Sequence, residues 1–180
     1  MKTLNKMTKS LILGLFVLFS TTLMAQSEQQ LEVINDAEDA RREIVNQNPE
    51  LMELFEKAEG YAIFPNVGKG AYILGGAAGN GAVYENGTLV GMAELRQLDI
   101  GFQLGGKAFS EAIIFQTDEA FEEFKSGDLK LSSDISVVMV DEGVSGDVEF
   151  KNGIAVISMP KAGAMAGLSV GGQKFDYKDL

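Results

Sequence analysis

Between Gly60 and Phe115, glycine recurs every few residues among short β-branched, aromatic and alanine runs, and the same texture returns from Gly153 to Tyr177. Glycine destabilises a helix interior, whereas in a strand it permits a bulge, a sharp bend or the close approach of another backbone. A strongly curved or barrel-like sheet needs such positions. Residues 28–58 have the opposite composition, charged and free of glycine, with apolar positions at helical spacing. The predicted fold class is therefore α+β: a glycine-rich, strongly curved antiparallel β-sheet or barrel-like sheet with two N-terminal helices and one inserted helix.

In the first helix Leu31, Ile34, Ala37, Ile44 and Val45 fall near one face, with Glu38, Asp39, Arg41 and Arg42 mostly outside it. Asn48 before Pro49 reads as an N-cap followed by proline at the first helical position. The second helix is short, with Leu51, Met52, Leu54, Phe55 and Ala58 as its apolar face. Strands are expected over 61–64, 71–77, 82–85, 88–95, 98–104, 109–115, 135–140, 154–158, 164–170 and around 174–177. Asn86-Gly87 and Asn152-Gly153 are type I′ hairpin signals, because both turn residues tolerate positive φ. Thr117 caps the inserted helix, Phe121 and Phe124 face inward from it, and Gly127 stops it. The opening of Gly60-Tyr61-Ala62-Ile63-Phe64 is echoed in Gly153-Ile154-Ala155-Val156-Ile157, as an internal duplication would produce.

The first 25 residues carry Lys2, Lys6 and Lys9, then an apolar run from Leu11 towards Met24 that ends at Ala25. This pattern predicts a secretory signal peptide cleaved after Ala25, leaving 26–180 as a single domain that is exported, periplasmic or secreted. The alternative, one membrane span, is opposed by Ser20, Thr21 and Thr22 in the run and by its shortness. With no cysteine in the chain, neither a disulfide nor a cysteine-linked lipid anchor can form. The net charge is −11, and loss of the three leader lysines makes the remainder more acidic still, a surface that repels nucleic acid.

The chain also has no histidine, so nucleophile–histidine pairs and the usual zinc sites are excluded. Gly68-Lys69-Gly70 lacks the spacing of a phosphate-wrapping P-loop, and no calcium-loop spacing is present. Asp99, in a strand-like run, and the acids Asp118, Glu119, Glu122 and Glu123 of the inserted helix read as solvated carboxylates rather than catalytic ones. No enzymatic activity, cofactor or metal is expected. Four lysines within the glycine motifs, Lys69, Lys107, Lys161 and Lys174, are candidates for a local anion site in which backbone N–H groups and ammonium groups cradle a phosphate or carboxylate. The alternative, that each is a solvated turn residue, stays open.

Several motifs in one order, Gly60-Tyr61-Ala62-Ile63-Phe64-Pro65, Gly68-Lys69-Gly70, Gly75-Gly76, Gly101-Phe102-Gln103-Leu104-Gly105-Gly106, Phe121 with Phe124-Lys125-Ser126-Gly127, and Gly171-Gly172-Gln173-Lys174-Phe175, resemble the SYLF domain family. The resemblance runs from about Leu31 to Leu180. It implies an α+β lipid-binding domain without established catalytic residues. Eukaryotic relatives bind phosphoinositides, partly through an amphipathic N-terminal segment, and yeast relatives bind actin filaments; bacterial relatives are largely exported and lipid-associated. The actin role is not carried over, since it needs a eukaryotic partner. The implied partner is a lipid or membrane surface, met at its head group by the four lysines and at its apolar phase by Leu31, Ile34, Leu51, Met52 and Phe55. Those apolar residues have a second use, packing against the sheet. The alternative function is a structural or protein-interaction module that binds a periplasmic or secreted protein.

Overall fold

The computed structural model describes residues 27–68, 76–98, 108–131, 135, 137–140, 148–161 and 172–180. The expected signal peptide, the strands expected over 71–75, 99–104 and 164–170, and Asp99, Lys69 and Lys107 lie outside the described residues. The chain divides into a unit ending at Glu32 and a second from Val33 to Leu180. Helix α1 covers residues 27–47. It is followed by α2 (Leu51–Lys57), β1 (Gly60–Gly68), β2 (Gly76–Glu85), β3 (Thr88–Leu98), β4 (Ala108–Phe115), α3 (Asp118–Lys125), β5 (Val137–Met139), β6 (Ile154–Pro160) and β7 (Gln173–Asp179).

The seven strands form one sheet in the order β5-β6-β4-β1-β2-β3-β7. All neighbours are antiparallel except β5 and β6, which run parallel. The expectation of a barrel-like, wholly antiparallel sheet is thus corrected: the sheet is mixed and open, with β5 and β7 at its ends. Parallel neighbours cannot be joined by a tight hairpin turn and need a longer crossover connection.

The open sheet is nevertheless strongly curved. Strands lie ~4.8 Å apart, so β1 and β7, three places apart, would be separated by roughly 14 Å in a flat sheet. Instead the rings of Phe64 on β1 and Phe175 on β7 have centroids 5.9 Å apart. Close approach at Gly81 accompanies the bend, since a Cβ there would lie 2.6 Å from the Ile63 carbonyl oxygen on β1. Pro65 sits where the β1–β4 register shifts between Phe64 and Val67, as expected of a residue with no N–H to give a ladder.

Alternation along each strand sends side chains to two faces. Ala62, Phe64, Leu95, Ile113, Phe115, Val156 and Phe175 line the concave face, where Phe121 and Phe124 of α3 join them. Tyr61, Ile63, Tyr84, Ile114 and Ile157 form the convex face, covered by Ala37, Ala40 and Ile44 of α1 and by Leu51 and Phe55 of α2.

Both turn signals appear as read: Asn86 and Gly87 have φ of 48° and 76°, Asn152 and Gly153 of 53° and 75°. Thr117 caps α3 by accepting the Ala120 N–H, and Gly127 leaves it with φ +78°. Asn48 Oδ1 accepts the Glu50 N–H, but α2 proper begins at Leu51. Residues 88–98 form one strand where two were expected to meet, because the ladder to β2 continues unbroken past Arg96 and Gln97. The echoed segments flank β4 on either side. Their faces are opposite, however: Tyr61 is convex and Ile154 concave, so matched residues of the echo are not structural equivalents.

Candidate functional site

The convex helical layer carries the predicted apolar contacts. Leu51 and Phe55 are buried, and Ile34 is half-buried against the same core. Phe55 meets Tyr61 edge-on at 5.2 Å, and Tyr61 stacks on Tyr84 at 4.9 Å. Burial pushes the Tyr84 hydroxyl up to about 12, with Glu38 of α1 adding to the effect. Leu31, at 58% exposure, and Met52, at 41%, remain open to solvent. The segment 27–59 that carries them is acidic in sequence: Arg42 pairs with Asp39 and Lys57 with Glu53, and the remaining cation, Arg41, stands against Glu28, Glu32, Asp36, Glu38, Glu43, Glu50, Glu56 and Glu59.

Of the four predicted lysines, Lys161 and Lys174 are described, and they have separate neighbours. Lys161 follows β6; its backbone N–H reaches the Ala108 carbonyl and its Nζ donates to Asn66 Oδ1. Asn66, in the β1 irregularity, donates from Nδ2 to Asp36 Oδ2 of α1 at 3.0 Å. A pocket of about 290 Å³ opens beside this link, lined by Val33, Pro65, Asn66, Ala78, Gly79, Asn80 and Glu94. Its Glu94 is held by two hydrogen bonds from Arg96, 2.8 and 2.7 Å, which pull that carboxyl below its ordinary value. Lys174 is exposed on β7, opposite Arg96 in register and bridged to Lys130. Arg96 also lies 3.5 Å from Asp176.

A third group was not foreseen from the sequence. On the concave face, at the end where β4 and β7 begin and β6 finishes, Gln97, Glu111, Ser158 and Gln173 are all buried. Ser158 stands opposite Glu111 in the β4–β6 register, and Gln97 opposite Gln173 in β3–β7. Gln173 Nε2 donates to Glu111 Oε2 at 3.1 Å. Glu111 Oε1, Ser158 Oγ and Gln173 Oε1 have no partner. Burial raises the Glu111 carboxyl to about 7, with the Gln173 hydrogen bond and the adjacent Ser158 hydroxyl acting in the opposite sense. A signal for the group was present: Glu111 is the one charged residue in the run from Ala108 to Phe115, which is apolar apart from it and Ser110, in a strand buried on both faces. Among the described residues no three or more acids are grouped so as to hold a metal ion, and no helix is long and apolar enough to cross a membrane.

Residues 96–179 match the family described as Las17-binding protein actin regulator. Beta cell expansion factor A of Aeromonas veronii is similar at 23% identity over 150 residues, which is 82% of this chain and 57% of that protein. The chain spans a little over half the length of this curated relative.

Proposed function

We propose that this protein, which belongs to the SYLF family through residues 96–179, is a non-enzymatic, exported lipid-binding protein of the bacterial cell envelope. The family match carries the class of function, since lipid binding is what SYLF resemblance implies. The exposure of Leu31 on α1 and Met52 on α2 supports an apolar mode of contact. With about half of each side chain already covered, the two moving into an apolar phase supply about 1.5–3 kcal/mol before the costs of association. Basic residues near an anionic membrane gain ~1 kcal/mol each, but the helical layer is acidic and forgoes that gain. Leu51 and Phe55 are committed to the convex core, so of the five apolar candidates Leu31 and Met52 are the ones available to a lipid surface. Head-group contact by Lys161 would compete with its hydrogen bond to Asn66.

Flotation of the 26–180 protein with neutral and with anionic phospholipid vesicles, at low and high salt, tests this reading. Binding to both vesicle types that survives high salt is expected. Salt-sensitive binding confined to anionic vesicles would transfer the contact to the lysines. Absence of flotation in every condition would reject lipid binding.

The family description names a protein target, and this favours a second reading: an interaction module for a periplasmic or secreted protein. It calls for a partner captured by crosslinking the protein in the exported compartment, with no vesicle affinity.

A further inference from the structure

Glu111 sits on β4, well inside the sheet, whereas Gln173 opens β7, the strand at one end of it. Their hydrogen bond spans the hollow and joins strands that are not ladder neighbours. Beta7 has a ladder only to β3 among the named strands; at its start, the Gly172 N–H also reaches the Leu131 carbonyl. Two residues further along, Phe175 packs against Phe64 and Phe124. The Glu111–Gln173 contact therefore lies at the point where the end of the sheet is turned over its middle.

The unpartnered atoms at this point are all oxygens: Glu111 Oε1, Ser158 Oγ and Gln173 Oε1. Gln173 Nε2 donates to Glu111 and favours its ionised form, but ionisation still leaves a charge at a site with no solvent exposure, and burial is the larger effect. A buried charge without a counter-charge is strongly disfavoured. Among the described residues, the groups facing Glu111 are Phe64 from β1, Ser158 from β6, Gln173 from β7, and Phe109 and Ile113 from its own strand, with Gln97 of β3 beside Gln173. None of these is titratable or charged. Lys174 and Arg96, the nearest cations in sequence to Gln173 and Gln97, occupy alternate positions and are exposed. A proton on Oε1 removes the charge and supplies one donor to a group whose unpartnered atoms are oxygens.

We propose that Glu111, Ser158 and Gln173 form a proton-dependent clasp, closed when Glu111 carries its proton, that fastens the start of β7 across the hollow and releases it when Glu111 ionises. Burial places this transition at about 7, within the range that an exported protein meets. The clasp is independent of whether the ligand of the domain is a lipid or a protein.

Hydrogen exchange of the 173–179 segment in the full chain tests this, after correction for intrinsic rates. From about pH 5.5 to about pH 8.5, protection of this segment should fall at least about tenfold in the native sequence and by less than about threefold in Glu111→Gln, whose amide stays neutral and keeps a donor. Constant protection in the native sequence, or an equal fall in Glu111→Gln, would overturn the clasp. Titration of the Glu111 carboxyl carbon by NMR in the native sequence gives a second reading that does not depend on the variant folding. A midpoint near the ordinary carboxylate value would overturn the proposal, and a raised midpoint that coincides with the loss of β7 protection is the expected result.

Discussion

Gln173 Nε2 hydrogen-bonds to Glu111 Oε2 at 3.1 Å, although β7 and β4 stand four places apart in the sheet. A flat sheet would hold such strands roughly 19 Å apart, so this polar contact and the nearby Phe64–Phe175 contact together measure how far the sheet has curled. The apolar part of the contact is non-directional and roughly proportional to buried area. The polar part is directional and depends on protonation, which makes the curvature at this end sensitive to pH.

The sign of that sensitivity follows from linkage. The Glu111 carboxyl is raised in the folded chain from its ordinary 4.5 to about 7. Between these values the native state holds a proton that the unfolded chain has lost, so stability falls as pH rises. The contribution is fully present below 4.5 and is lost as pH climbs through about 7, with an order of magnitude of about 3 kcal/mol. Urea unfolding at a series of pH values should show this decline in the native protein and a much flatter profile in Glu111→Gln. Equal slopes would show that the acid does not control the decline.

Phe124 joins the inserted helix to the concave core. Its ring lies 5.0 Å from Phe115, 5.4 Å from Phe175 and 6.2 Å from Tyr177, and it is fully buried. Phe124→Ala should cost about 3–5 kcal/mol, because the rigid sheet around it cannot collapse into the space left behind. Met52→Ala, at an exposed position, should change stability by less than about 0.5 kcal/mol. Denaturant midpoints at constant m-value separate the two, and a small loss for Phe124→Ala would mean that α3 is not a structural plug of the hollow.

Much of the architecture was legible because it follows from local rules. Asn86-Gly87, Thr117 and Gly127 each announce a backbone geometry that few other residues satisfy, and the structure contains all three. The alternating faces of β1 and the periodic face of α1 likewise follow from spacing. The parallel β5–β6 pair was not legible, since strand direction within a sheet depends on the path of a long connection rather than on any short motif. The buried group at Glu111 was hidden for a related reason. Its partners Ser158 and Gln173 are distant in sequence, and only the curl of the sheet joins them. Among the five apolar site candidates, periodicity identified the helix faces but could not separate Leu51 and Phe55, which pack inward, from Leu31 and Met52, which stay exposed.

Glycine substitutions should separate positions that the curvature requires from positions that merely contain glycine. A Cβ at position 81 would approach the Ile63 carbonyl oxygen and the Phe64 ring to 2.6 Å, and the carbonyl cannot move without breaking the β1–β2 ladder. At Gly68 a Cβ would meet nothing within 4 Å. Gly81→Ala should therefore destabilise by more than about 1 kcal/mol, in the range of overpacked core sites. Gly68→Ala should be neutral or stabilising by about 0.5 kcal/mol, through loss of freedom in the unfolded chain. Equal effects in thermal unfolding would contradict a curvature set by close backbone approach.

Leu31 and Met52 provide the test that separates lipid contact from packing. Both are largely outside the core, so glutamate at both positions should leave the unfolding midpoint within about 0.5 kcal/mol of the native value. The same change places two charges where the proposed contact needs apolar surface, removing about 1.5–3 kcal/mol of transfer free energy and adding a desolvation cost. Flotation with neutral vesicles should then fall by at least about a hundredfold in apparent affinity. A Lys161→Glu, Lys174→Glu double variant should change neutral-vesicle binding little, because a neutral surface offers no net charge for lysine to meet and Lys161 is already engaged by Asn66. The opposite ranking, with the lysine variant impaired and the apolar variant intact, would place the membrane contact at the lysine-bearing strand ends and leave the helical layer with a packing role alone.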